Sequence, residues 1–214
     1  MNARKARDGV KAREVVHLQD THNATPVVPD LLGPGLRLVF CGTAPSRVSK
    51  ERQAYYANPG NRFWRTLHEA GLTGTRLMAA DYRRLLGIGI GLTDLNKREW
   101  GNDDELTPAG FDLAGFTAKM RRYRPGAIAF TSKTAAGIFF RCDTGALAYG
   151  RQQTTLDGIV LHVLPSTSGQ AVRYFNLAPW VALAKILESG EVRDVPSPPG
   201  GGGLPACESR RLRA

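Results

Sequence analysis

Apolar residues along this chain fall into short blocks divided by polar stretches rich in glycine and proline, and the period within the blocks changes from one to the next. Residues 36–42 (LRLVFCG) form a brief apolar run of strand-favouring side chains closed by a glycine and then Pro45, which predicts a buried strand feeding a loop. Between Asn61 and Ala70 the period becomes helical: Phe63, Trp64, Leu67 and Ala70 share one face, Gly71 is the stop, and the helix is expected to begin near Pro59 or Gly60. Residues 79–86 predict a second short helix, 87–95 (GIGIGLTDL) a strand and loop, and 111–125 (FDLAGFTAKMRRYRP) a third helix ended by Pro125. The remaining pattern reads as a strand at 126–132 (GAIAFTS), a helix at 133–140 (KTAAGIFF), a strand at 159–166 (IVLHVLPS) running into a polar loop, and a closing helix at 179–188.

Strands alternating with helices at this spacing imply an α/β fold, a three-layer α/β/α sandwich whose central sheet is mainly parallel and covered on both faces. In such sheets ligands bind beyond the carboxyl ends of the strands. That directs attention to the loops CGTAPS (41–46), GLTDLNKR (91–98) and LPSTSGQAVRYF (164–175). The organisation expected is a polar, charged N-terminal arm over residues 1–27, one domain over 28–190, and a tail over 191–214 in which VPSPPGGGG leaves no room for a regular element.

Charge changes this picture by pointing to a partner. The chain of 214 residues carries 29 Lys and Arg against 19 Asp and Glu, a net +10, and residues 31–187 hold 20 basic against 11 acidic side chains. The excess therefore sits on the domain and suits a polyanion such as nucleic acid, although a solvated basic surface with no function is common. Cys41, Cys142 and Cys207 are odd in number and far apart, and His17, His22, His68 and His162 make no zinc pattern. Reduced thiols in a cytoplasm are expected, with no metal and no cofactor. The charged N-terminus is not a secretion signal, and no apolar run approaches the ~20 residues needed to cross a bilayer.

Taken on their residues alone, the first loop and the segment after it (CGTAPSRVSKERQAYYANPGNRFW) are a strand end, a turn set by Pro45, two tyrosines and a helix start, where backbone N–H groups converge as they do in anion sites. Trp64 and Phe63 read as core aromatics; adjacent tyrosines in a loop are less expected there. No Gly-x-Gly-x-x-Gly or Walker pattern supports a nucleotide cofactor, and no nucleophile elbow supports an unrelated α/β hydrolase.

These motifs, in order, resemble those of mismatch-specific uracil-DNA glycosylases and thymine-DNA glycosylases: DLLGPGLRLVFCG, GTAPS, YANPGNRFW, GLTDL and VLPSTSGQ, spread over residues 30–187. The resemblance implies a uracil-DNA glycosylase-like fold and a monomeric repair enzyme that flips uracil out of single- or double-stranded DNA and hydrolyses its N-glycosidic bond, leaving an abasic site. Tyr56 falls where the family stacks an aromatic on the extruded base. Gly42, Thr43 and Ala44, with Ser49, form the loop whose amides contact base carbonyls. Asn61 matches an asparagine that approaches base or sugar, and equally a helix cap. Asp94 matches a base-contacting position that varies in the family, and equally a solvated or capping carboxylate. Ser166, Thr167 and Ser168 resemble the loop that holds flanking phosphates. Gln170 sits where the family inserts a wedge into the vacated stack, with Arg173 and Tyr174 close by to share that task.

The departure is Ala44. Family members of this kind usually carry an asparagine there, in GINPG, whose amide orients the attacking water; a related branch has alanine and is active. Cleavage that is largely dissociative depends first on stabilising the departing uracil anion, so water can be oriented elsewhere. Asp94 ranks first for that, ahead of Asn61 and Asn58, while His162 reads as a packed strand histidine. The alternative from another class is a non-catalytic protein that binds uracil or damaged DNA with the same pocket.

Overall fold

The computed structural model describes residues 25–190, so the expected arm and tail lie outside the described residues except for positions 25–27. Five strands form one sheet in the order β2-β1-β3-β5-β4, where β1 is Leu38–Gly42, β2 Ile90–Asp94, β3 Ala127–Phe130, β4 Gly150–Leu156 and β5 Ile159–Val163. The first four in that order run parallel, with Phe40 opposite Leu92 and Ala129, and Ala129 opposite His162. β4 closes the sheet antiparallel to β5.

Every residue of β1, β2, β3 and β5 is buried, as expected for parallel strands covered on both faces. Their alternation sorts side chains into two cores. Leu38, Phe40, Ala129 and Val160 face α2 (Phe63–Glu69) and α5 (Ala178–Ser189), meeting Phe63, Trp180 and Leu183. Val39, Cys41, Ile128 and Phe130 face α3 (Leu113–Tyr123) and α4 (Lys133–Phe140), meeting Phe116, Met120, Ala136 and Phe139. This is the three-layer α/β/α arrangement expected from the pattern.

Local chemistry explains where the elements begin and end. Asp112 accepts the Gly115 N–H at the start of α3 and Ser132 the Ala135 N–H at the start of α4. Arg124 leaves α3 in a left-handed conformation just before Pro125. The short helix expected over residues 79–86 is present as the 3-10 helix Ala79–Ile88, while two element bounds need correction and two elements were not expected. α2 begins at Phe63, not at Pro59 or Gly60, because the Asn61 side chain accepts the Phe63 N–H in a turn that precedes it. The last parallel strand ends at Val163, three residues before Ser166. Strand β4 and the short helix α1 (Arg47–Arg52) were not foreseen.

All four parallel strands end on the same edge of the sheet, so the segments starting at Thr43, Leu95, Thr131 and Leu164 lie side by side. Among the described residues no helix is long and apolar enough to cross a membrane.

Candidate active site

A cavity of about 460 Å³ opens at that edge, and twelve of the fourteen positions expected from sequence line it: Gly42, Thr43, Ala44, Ser49, Tyr56, Asn58, Asn61, Asp94, Ser166, Thr167, Ser168 and Gln170. Arg173 does not line it; that residue is exposed on the 3-10 segment Gly169–Tyr174 beyond the rim. Tyr55, Thr131, Ser132 and a loop of Gly101, Asn102, Asp103 and Asp104 also contribute to the lining.

One wall comes from the turn after β1. Gly42 accepts the Leu95 N–H and Thr43 the Asn96 N–H through their carbonyls, which lays the turn over the end of β2. The N–H groups of Thr43 and Ala44 donate no hydrogen bond within the described residues, so this wall offers free donors. Ala44 contributes a methyl group and nothing that can hold water. Ser46 caps α1 by accepting the Ser49 N–H at 3.2 Å. The Ser49 hydroxyl, in turn, takes the Ser46 hydroxyl and the Ala57 N–H, so it braces the loop beneath the tyrosines.

Tyr55 and Tyr56 diverge. Both border the cavity, but Tyr55 is 3% exposed with its hydroxyl on Lys97, while Tyr56 has a left-handed backbone (φ 51°) and its hydroxyl on Thr131. Phe63 covers one face of the Tyr56 ring at 3.7 Å between centroids and 16° between planes, so only the opposite face is left for a planar ligand. The Tyr56 hydroxyl meets Thr131 Oγ1 at 3.2 Å, and burial, then the charge of Asp94, push its pKa well up, so it stays neutral. Asn61 uses Oδ1 twice, accepting the Phe63 N–H at 2.9 Å and the Thr167 hydroxyl at 2.8 Å. Asn61 is not the cap of α2, which is Arg62, but its oxygen organises the turn just before the helix, and its amide NH₂ donates to none of these groups.

Thr167 also accepts the Arg62 N–H through its carbonyl at 2.9 Å. Two residues on, a Cβ at Gly169 would stand 3.1 Å from the Gly60 carbonyl oxygen, so the two loops touch backbone to backbone. Ser166 accepts the Ser168 N–H, and Ser168 the Gln170 N–H, which curls the loop into two successive hydroxyl turns. At the rim Gln170 donates from Nε2 to Asn102 Oδ1 at 3.2 Å, and Tyr174 is 74% exposed.

The other wall is charged. Asp94, the last residue of β2, is 3% exposed, and its Oδ2 accepts no hydrogen bond. A Cβ on Gly42 would overlap Asp94 Oδ1 and reach the Tyr56 hydroxyl, so only glycine leaves room for that carboxylate. Burial raises the Asp94 pKa to about 6, against the opposing pull of Lys97. Behind it stands a cluster that sequence reasoning missed. Lys97 Nζ lies 3.0 Å from Asp30 Oδ1, 2.7 Å from the Tyr55 hydroxyl and 3.8 Å from Asp94 Oδ2; Lys119 Nζ lies 2.6 Å from Asp30 Oδ2, and Thr93 donates to Asp30 at 2.7 Å. Burial pushes Asp30 up, yet the two lysines and these hydrogen bonds outweigh it and hold its pKa below the ordinary value.

Lys97 stands inside the loop singled out from sequence, but nothing in its spacing points to Asp30, 67 residues earlier. Thr131, the partner of Tyr56, carried no signal beyond ending a strand. His162 is packed on β5 at 1% exposure, away from the cavity, and burial, then Arg151, lower its pKa to about 4.

Residues 29–187 match the family model described as Uracil DNA glycosylase superfamily. Among solved structures, the solution NMR structure of a candidate uracil DNA glycosylase from Methanosarcina acetivorans is similar at 27% identity and a TM-score of 0.54, over 75% of this chain and 96% of that one.

Proposed function

The chain belongs to the uracil DNA glycosylase superfamily, and on that premise we propose that it is a monomeric DNA repair enzyme of the mismatch-specific kind, which flips uracil out of DNA and hydrolyses its N-glycosidic bond. The observation that carries this reading is the pairing, across one cavity, of free backbone N–H groups at Thr43 and Ala44 with the buried carboxylate of Asp94.

Scission of an N-glycosidic bond leaves two charges to stabilise: an anion on the uracil and a cation on the sugar. Preorganised N–H donors meet the first without reorganising as charge develops, and a carboxylate meets the second. The free face of Tyr56 stacks on the base, while Phe63 behind it holds the ring still. Asp94 stabilises the sugar and orients the water that attacks it, taking over the task that the alanine at position 44 cannot perform. Ser166, Thr167 and Ser168 position the flanking phosphates, and Gln170, with Arg173 and Tyr174, fills the gap left in the stack.

Incubation of the full chain with end-labelled uracil oligonucleotide, followed by alkali, tests this. Strand breaks at the uracil position are expected, because alkali cleaves abasic sites. Retention of the oligonucleotide without breaks overturns catalysis and supports a second reading, favoured by Ala44 alone: a protein that binds uracil-containing DNA without cutting the glycosidic bond.

A further inference from the structure

Asp94 is an unusual group to bury, since its Oδ2 has no hydrogen-bond donor and its one nearby cation stops at 3.8 Å. That distance is beyond hydrogen-bonding range. Lys97 is not free to come closer: its ammonium donates to the Tyr55 hydroxyl at 2.7 Å and faces Asp30 Oδ1 at 3.0 Å, and the side chain is only 13% exposed. Asp30 is itself fixed by Lys119 on its second oxygen and by the Thr93 hydroxyl on its first.

We propose that Lys97 is a positioning residue of this site, which Asp30 and Tyr55 hold just short of Asp94, near enough to keep that carboxylate ionised and too far to occupy its oxygens. Asp94 thereby remains a charged group: Oδ2 is closed off from solvent beside Lys97, which leaves Oδ1 as the oxygen for water or the sugar. The inference rests on the reading of Asp94 as the group that acts on both.

Charge balance across the cluster supports it. The groups facing Asp94 are Lys97 from the loop after β2, Asp30 from the segment before β1, Lys119 from α3, Cys41 from β1, and the hydroxyls of Tyr55 and Tyr56. The thiol and both hydroxyls are pushed well up and stay neutral. Two lysines then face two carboxylates, and the buried cluster is neutral only when Asp94 is ionised. Deleting Lys97 leaves an excess negative charge in a mostly buried cluster, which favours the protonated acid; deleting the charge of Asp30 removes a like charge and favours the carboxylate.

The opposite signs make the test decisive. The full chain, labelled with ¹³C at aspartate carboxyls and free of DNA, is titrated by NMR alongside a pH profile of single-turnover uracil excision. Lys97→Met is expected to raise the Asp94 midpoint, and with it the acid limb of the profile, by about one pH unit or more. Asp30→Asn is expected to lower both, and Lys97→Arg, which keeps the charge, to stay nearer the parent than Lys97→Met. A midpoint unmoved by Lys97→Met, or moved the same way by Lys97→Met and Asp30→Asn, overturns the proposal and leaves Lys97 a structural ion pair. Should Lys97→Met fail to fold, a rise or no change in Asp30→Asn still overturns it. A parental chain that excises no uracil refutes the proposed function instead, and the titration then decides the coupling by itself.

Discussion

The two walls of the cavity are made of opposite materials. The wall after β1 and around Tyr56 is neutral: its hydroxyls bond one another, a backbone N–H and the Asn61 amide oxygen, and what it presents is an aromatic face and free donors. The wall at the end of β2 is charged and buried, and the state of its central carboxylate depends on residues as distant in sequence as Asp30 and Lys119. A neutral wall works by shape and fixed dipoles and changes little with conditions. A charged one works by protonation and can be tuned. Under the proposed function, Ala44 on the neutral side leaves the activation of water to the charged side.

The largest effect that separates the walls is expected from Asp94→Asn. Loss of a group that orients water or stabilises charge costs ~10²–10⁴-fold in the chemical step, read by single-turnover excision, while DNA affinity should hold or rise slightly because a negative charge near phosphates is gone. Adding Ala44→Asn should then recover part of the rate by restoring an amide to the neutral wall. Parental cleavage by Asp94→Asn breaks the contrast outright. On the neutral wall, Tyr56→Ala removes a stacking surface worth roughly 1–3 kcal/mol per base, and excision at the parental rate would place the base elsewhere.

A pH series distinguishes the walls without mutation. Excision should fall about tenfold per unit once the pH drops below about 6, where Asp94 takes up a proton. Stability responds with the opposite sign. The folded pKa of about 6 lies above the unfolded value near ~3.9, so the cost of burying this charge is greatest above pH 6 and is relieved as the pH falls toward 4. Melting curves of the parent and Asp94→Asn should therefore converge on acidification. The smallest effect is expected from Thr167→Val, which deletes the hydroxyl bond to Asn61 at a cost of ~1 kcal/mol; a melting temperature lowered by a few degrees with unchanged pH dependence would confine that residue to bracing.

The reach of the sequence divides along the same line. β1 and β3 were legible because continuous apolar runs have few other uses, and α3 because its pattern and the closing Pro125 agree with one another. β4 was invisible: GRQQTTL alternates exposure on an edge strand and brings little apolar signal beyond Leu156. α1 has no apolar stripe and exists because Ser46 caps it. In the site, residues that lie within contiguous motifs were found, since motif and loop coincide on the neutral wall. The ion cluster was not, because pairing Asp30 with Lys97 and Lys119 depends on three-dimensional closure across the sheet.

The backbone contact between Gly60 and Gly169, with the Thr167 bonds to Asn61 and Arg62 beside it, joins the loop of Ser166, Thr167 and Ser168 to the segment that carries Tyr56. Neither loop can slide without the other. The pair is a caliper with its jaws set: under the proposed function, a phosphate held by one jaw fixes the other at the reach of a single sugar and base, a gauge of one nucleotide along the strand.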